Sequence, residues 1–223
     1  MGSVDVLLHP ADDRETHRPH PRGRLSTVGH GAAFRAFVRA ARRAKVPFMI
    51  IGGTYRDVAV RASSTREIDV VLVDAQTLPK DVMHEAGFVE VEGSPHAWRF
   101  AARRRSAIVE IAAVASSRDR KGPFSIAFHE AENRTIEGLR VRVPRIEDYV
   151  ILKLLAADAD PRRRGRDLAD VQFAFEAHAE HSEEKLSVAA LRGRLRDVYG
   201  VSGEKLRRIT GFLRALPRPT TMP

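Results

Sequence analysis

From Gly31 onward apolar residues recur at helical spacing. Phe34, Phe37, Val38 and Ala41 share one face, with Arg35, Arg39, Arg42 and Arg43 off it. The short apolar run from Val46 to Ile51 reads as a buried strand that Gly52–Gly53 ends sharply. A short helix is expected from Thr54 to Ala62, with Thr54 as its N-cap. Glu67 to Val73, rich in β-branched residues, predicts a second strand. Leu78 to Ala86 reads as a helix stopped by Gly87. Shorter strands are expected over Phe88–Val91, Ala97–Ala101 and Ala107–Val114. The alternation from His96 to Phe100 marks a half-exposed strand, and Phe124 to Val143 reads as loops with one or two further strands.

The pattern changes in the last third. Ile146, Tyr149, Val150, Leu154 and Leu155 form a helical stripe, broken at Asp160–Gly165. Further helices are expected over Arg166–Ala177, Val188–Tyr199 and Glu204–Leu216. Residues 1–28, rich in His, Pro, Arg and Asp, have little periodicity and read as a flexible tail, whose His9, His17 and His20 are too irregularly spaced for a metal site. The expected architecture is therefore α/β (α+β): a tail (1–28), a small mixed, twisted sheet flanked by helices (29–143), and a C-terminal helical bundle (144–223) that contributes to the active site.

Composition sharpens this only in places. Lys and Arg number 38 against 29 Asp and Glu, a net charge of +9. Such a chain attracts polyanions, nucleotides and nucleic acid among them, although the excess is mostly arginine and also fits an Arg-rich proteome. The absence of cysteine excludes disulfides, thiolate metal ligands and thiol catalysis. No apolar run approaches the roughly 18 residues of a membrane span, and no signal-peptide pattern precedes residue 30, so a cytoplasmic location without membrane association is expected.

The candidate chemistry lies in an ordered set of blocks: strand, Gly52–Gly53, short helix, an acid-apolar-acid strand, and a later strand with a single acid. Residues two apart in a strand face the same side, so Glu67 and Asp69 present paired carboxylates while Ile68 and Val70 face the core. Glu110 interrupts the apolar run Ala107–Ile111. Clustered carboxylates are hard oxygen ligands for Mg²⁺ or Mn²⁺, and three of them suit a two-metal clamp on a triphosphate. The paired glycines let main-chain amides approach phosphate oxygens, and Thr54 adds a hydroxyl. Each piece alone has a plain structural reading: a turn, an edge strand, a half-exposed acid, and for Lys153 a lysine snorkelling from a helix edge.

Gly52–Gly53–Thr54 followed by Thr65–Arg66–Glu67–Ile68–Asp69–Val70 resembles the signature of polymerase-beta-type nucleotidyltransferases, and within them the AbiEii-type family, some of whose members are toxins of toxin–antitoxin pairs. Val143–Leu154 is similar to that family's helix with its active-site lysine, and Arg164–Asp170 to its arginine-then-aspartate helix start. The resemblance covers about residues 30–178. It departs at Glu67, where Asp is commoner, at Ser63, where an Arg is usual with Arg61 nearby, and at Tyr55.

The resemblance implies transfer of a nucleoside monophosphate from an NTP to an acceptor hydroxyl. Lys153 would contact the triphosphate, and Asp167, with Asp170 as its rival, would act in the site. Catalytic roles then fall to Glu67, Asp69, Glu110, Lys153 and Asp167, and nucleotide contacts to Gly52, Gly53, Thr54 and Lys153. The arginine clusters Arg103–Arg105 and Arg162, Arg163, Arg164 read as solvated loops or as grips for an RNA acceptor such as tRNA. A cognate antitoxin is the implied partner. The alternatives are an enzyme acting on a small molecule of aminoglycoside type, and an inactive nucleotide- or RNA-binding module.

Overall fold

The computed structural model describes residues 28–60, 67–73, 80–94, 97–102, 108–115, 121–181 and 186–217. The expected tail up to residue 27, Arg61, Ser63, Thr65, Arg66 and the Arg103–Arg105 cluster lie outside the described residues.

The chain runs α1 (Val28–Arg43), β1 (Phe48–Ile50), α2 (Gly52–Ala59), β2 (Glu67–Val73), α3 (Lys80–Glu85), β3 (Phe88–Ser94), β4 (Ala97–Ala102) and β5 (Ile108–Ala115). It continues through α4 (Pro123–His129), the hairpin β6 (Glu132–Ile136) and β7 (Leu139–Val143), and then α5 (Ile146–Ala159), α6 (Arg164–His181), α7 (Val188–Asp197) and α8 (Gly203–Ala215). The main sheet has the order β1-β2-β5-β4-β3. It is mixed: β2 and β5 are parallel, and the other neighbours are antiparallel.

Strand periodicity divides the sheet into two covered faces. Ile68, Val70 and Leu72 join Phe34, Phe37 and Val38 of α1 in the main core, which also takes in Val150 and Leu154 of α5, Val171 of α6, Leu191 of α7 and Leu213 of α8. Phe37 and Phe48 meet edge-to-face with ring centroids 5.3 Å apart, and truncating such a buried Phe to Ala typically costs about 3–5 kcal/mol. On the opposite face Met49, Ile51 and Val71 pack with Ala127 and Phe128 of α4. Glu67 and Asp69 share that second face with Val71 through the two-residue repeat.

Three local expectations are corrected. Residues 123–129 are helical rather than loop or strand: Pro123 occupies the first turn, where its fixed φ and missing N–H are harmless, and Gly122 turns into it at φ 85°. The helix after β1 starts at Gly52, with Ile51 rather than Thr54 at the N-cap. It ends at Ala59, not Ala62. The β6–β7 hairpin closes through Glu137–Gly138, both at positive φ (51° and 74°), matching the twist of paired strands. Arg35 of α1 ion-pairs with Glu137 and so ties that hairpin to the core helix.

The helical half is anchored by a buried charge. Asp148 accepts from Arg194 Nε at 2.7 Å, Arg194 Nη2 at 2.8 Å and the Tyr199 hydroxyl at 2.8 Å. A fully satisfied buried pair fixes the geometry of α5 against α7 more than it adds net stability. Among the described residues, no helix is long and apolar enough to cross a membrane.

Candidate active site

The parallel pairing of β2 with β5 sets Asp69 directly beside Glu110 and Glu67 beside Ile108. Carboxylate oxygens of Glu67, Asp69 and Glu110 all lie within 4.8 Å of one another. The three acids singled out in the sequence therefore form one cluster. Their surroundings are graded: the Glu67 and Glu110 side chains are 47% and 36% exposed, and Asp69 lies deeper.

The glycines serve this cluster directly. The Gly53 N–H donates to Asp69 Oδ2 at 2.8 Å. Gly52 adopts φ +60°, and a Cβ there would stand 1.9 Å from the same oxygen. Ile51 N–H also donates to the Asp69 main-chain oxygen at 3.0 Å. The Gly–Gly turn is thus shaped around the Asp69 carboxylate, which holds one of the amides expected to face phosphate. Thr54 is buried and its hydroxyl donates to the Glu67 main-chain oxygen at 2.9 Å, pinning α2 to β2.

Burial pushes the Asp69 carboxyl up to about 6, and the neighbouring charges of Glu110 and Glu67 push the same way; the Gly53 amide and the Lys153 ammonium pull it down. Three clustered carboxylates with one raised in this manner fit a divalent cation of the Mg²⁺ or Mn²⁺ type. Such an ion would relieve their mutual repulsion, and the donor set is all hard oxygen.

Behind the acids lies a second charged group. Lys153 Nζ stands 2.6 Å from Asp170 Oδ2 and 3.0 Å from Asp167 Oδ1. Asp167 is fully buried and Asp170 nearly so. Both aspartates of α6, the expected Asp167 and its rival Asp170, therefore contact the lysine. Asp170 also accepts from Arg56 of α2 at 2.9 Å. Burial alone would raise the Asp170 carboxyl, yet Lys153 and Arg56 together hold it below the usual carboxylate range.

Two charged residues near the site escape sequence reading, Arg56 and Arg99. Arg99 of β4 pairs across the sheet with Glu110. Its guanidinium lies 3.8 Å from both the Glu67 and Glu110 carboxylates. The available signal was the alternation around Arg99 together with the short β4–β5 connection, which makes an antiparallel neighbour of Glu110 a natural expectation.

The Arg162–Arg164 cluster divides. Arg162 is exposed. Arg163 is half-exposed and lies 3.5 Å from Asp167. Arg164 instead donates to the Ala157 main-chain oxygen at 3.1 Å and stacks over Phe212, a structural clamp between α5, α6 and α8.

This mixed sheet with its flanking helices matches a nucleotidyltransferase-like fold. The chain is similar to an antigenic nucleotidyltransferase-like protein from Paracoccidioides brasiliensis (15% identity, 84% of this chain and 88% of that one, TM-score 0.54). It is also similar to the antibiotic-resistance factor ANT(2'')-Ia in solution (13% identity, 82% and 90%, TM-score 0.51). The same factor in complex with adenylyl-2''-tobramycin gives a TM-score of 0.50 at 15% identity over 82% and 96% of the two chains. No protein-family model matches the chain, and no curated protein matches its sequence.

Proposed function

We propose that this protein is an enzyme that transfers a nucleoside monophosphate from an NTP to an acceptor hydroxyl and releases pyrophosphate. The observation that carries this reading is the convergence of Glu67, Asp69 and Glu110 within 4.8 Å, directly beside the Gly53 amide at the start of α2. In the transfer, the acceptor hydroxyl loses its proton to solvent and its oxygen bonds to the α-phosphorus, the α–β phosphoanhydride bond breaks, and pyrophosphate takes the electron pair. Glu67, Asp69 and Glu110 would hold the divalent cation, Mg²⁺ or Mn²⁺; when bound, it neutralises triphosphate charge and lowers the pKa of the attacking hydroxyl. Gly52 and Gly53 shape the Asp69 pocket, and the remaining N-terminal amides of α2 face an anion favourably. Asp167 and Asp170 steady Lys153, whose charge reaches Asp69, so that the ammonium is preorganised against negative charge developing on the nucleotide.

For the acceptor, the net charge of +9 and the exposed Arg162 and Arg163 favour RNA, tRNA in particular. In that case the AbiEii-type resemblance extends to a growth-inhibiting toxin with a cognate antitoxin. A second reading, a small-molecule acceptor, is favoured by the fold shared with ANT(2'')-Ia, whose complex holds adenylyl-2''-tobramycin. The discriminating experiment incubates the purified protein with each α-³²P NTP and Mg²⁺, offering total tRNA or tobramycin. Label on tRNA supports the first reading and label on tobramycin the second. No transfer to either, with NTP binding retained, identifies a binding module and removes the enzymatic reading.

A further inference from the structure

Tyr149 sits against the charged group behind the acids with its hydroxyl unused. The residue is 2% exposed, and its hydroxyl oxygen is buried without a hydrogen-bond partner among the described residues. A buried tyrosine ordinarily finds a partner, because an unmet donor is costly. Burial first, and then the charge of Asp170, push the hydroxyl's pKa up, so it stays protonated and able to donate. Tyr149 and Lys153 stand four residues apart on one face of α5, and the Lys153 ammonium lies 5.8 Å from the centre of the Tyr149 ring. That ammonium is 2.6 Å from Asp170 Oδ2. A spare acceptor is also at hand. Asp167 Oδ2 is buried and accepts no hydrogen bond among the described residues, with Arg163 Nε standing off at 3.5 Å. The group that holds Lys153 thus keeps one donor on α5 and one acceptor on α6 in reserve.

We propose that Tyr149 is a positioning residue for Lys153, its hydroxyl donating to the α6 carboxylates when a bound triphosphate draws on the ammonium. The inference rests on the nucleotidyltransferase reading, in which Lys153 faces the nucleotide. One ammonium cannot serve two carboxylates and a triphosphate equally, so its contacts with Asp167 and Asp170 weaken as the phosphates attract it. Both aspartates are buried, and a buried carboxylate that loses its cation is strongly destabilising. Arg56 remains on Asp170 at 2.9 Å, and the Tyr149 hydroxyl supplies the further donor. Tyr55 of α2 packs on Tyr149 with ring centroids 4.8 Å apart, which holds the phenol in place while the lysine shifts. The Tyr55 hydroxyl is also buried and without a hydrogen bond among the described residues. The charges acting on it are those of Arg134, Glu132, Glu147 and Asp148 rather than of the Lys153 group.

The test compares the full-length parent, Tyr149→Phe and Tyr55→Phe, each of which keeps its ring. Calorimetric titration with Mg²⁺ and non-hydrolysable analogues of ATP, GTP, CTP and UTP reads nucleotide affinity, and thermal melting without nucleotide reads the fold. Tyr149→Phe is expected to melt at or above the parent and to bind the parent's preferred analogue roughly ten- to hundred-fold more weakly, the loss of a hydrogen bond to a charged group. Tyr55→Phe should bind within about twofold of the parent, as an uncoupled change does. Parent-like affinity in Tyr149→Phe overturns the proposal and leaves the acid cluster standing. A clear fall in its melting temperature without nucleotide also overturns it, since the hydroxyl would then already be employed in the fold. Equal weakening in both variants assigns the effect to the aromatic pair and overturns the proposal as well. Failure of the parent to bind any of the four analogues overturns both this inference and the reading on which it rests.

Discussion

Gly52 lies so close to Asp69 that a Cβ added to it would stand 1.9 Å from Oδ2. The residue also adopts φ +60°, a left-handed conformation that is unfavourable by roughly 1–2 kcal/mol for a residue with a Cβ. Gly52→Ala is therefore expected to lower stability by at least that amount and to push the Asp69 carboxylate out of the cluster. Denaturant unfolding reads the first effect and calorimetric titration of Mg²⁺–NTP the second. Parent-like affinity in Gly52→Ala would show that the Asp69 position is not what the glycine protects.

Asp69 itself gives a pH signature. Its carboxyl is pushed up to about 6 in the fold, chiefly by burial, against an ordinary value of 3.8. The folded state thus holds this proton more tightly than the unfolded chain. Its stabilising contribution is full below about pH 4, fades as pH rises towards 6, and is gone above. Asp69→Asn cannot titrate and can still accept the Gly53 amide. In metal-free buffer its melting temperature should therefore overtake the parent's across pH 4–6 and stay ahead at pH 7. The gap is at most about 3 kcal/mol at ~1.4 kcal/mol per pKa unit. Added Mg²⁺ should raise the parent selectively, while Asp69→Asn and Glu110→Ala lose transfer activity. A variant that melts far below the parent at pH 7 would mark the acid as structural.

Much of this architecture was readable because the signals are local. The bounds of β2 follow from its β-branched run, and the facing of Glu67 and Asp69 from a two-residue period that tertiary structure does not alter. The cluster with Glu110 needed only a parallel neighbour strand. Arg56 was not readable, since its partner lies on a helix 114 positions away, and Arg99 only in part: a hairpin neighbour of Glu110 could be expected, but strand register decides which residue it is. Thr54 misled for a different reason: a Thr at a helix start is ordinarily a cap. Here the positive φ of Gly52 starts the helix earlier, and the hydroxyl is buried against the Glu67 backbone.

Lys153 distinguishes structural from catalytic roles by its neighbours. Removing its charge leaves Asp167 and Asp170 without their shared cation, in a site where breaking one partner of a buried pair typically costs about 3–5 kcal/mol. Lys153→Met should therefore be strongly destabilised. The double change Lys153→Met with Asp167→Asn should recover part of that loss without recovering transfer activity. Urea melts of the single and double variants test the first claim. Recovery of activity in the double variant would remove Lys153 from the nucleotide site.

The Asp148–Arg194–Tyr199 group serves as a control remote in role from the chemistry. Arg194→Met leaves a fully buried carboxylate whose one remaining partner among the described residues is the Tyr199 hydroxyl, so a loss of roughly 3–5 kcal/mol is expected. At temperatures where the variant remains folded, Mg²⁺–NTP affinity should stay within about twofold of the parent, the size of a distant, uncoupled change. Loss of nucleotide binding in the folded variant would show that the packing of α5 against α7 sets the position of Lys153.

Arg162 and Arg163 carry the acceptor question, because Arg164 is occupied with Ala157 and Phe212. Arg163 lies 3.5 Å from Asp167, the residue that also holds Lys153, so the exposed pair sits within reach of the charged network behind the acids. If tRNA is the acceptor, each arginine that neutralises a phosphate releases counter-ions, and the logarithm of affinity falls with the logarithm of salt by about 0.9 per contact on a duplex region. Changing both Arg162 and Arg163 to Ala should raise the tRNA concentration needed for half-maximal labelling and reduce that slope by up to about two. NTP affinity should stay nearly unchanged. Arg164→Ala should instead lower the melting temperature and leave the salt slope intact. A salt slope identical in the parent and the Arg162, Arg163 variant would place the acceptor elsewhere on the surface. Labelling that is insensitive to salt would favour a small acceptor over a polyanion.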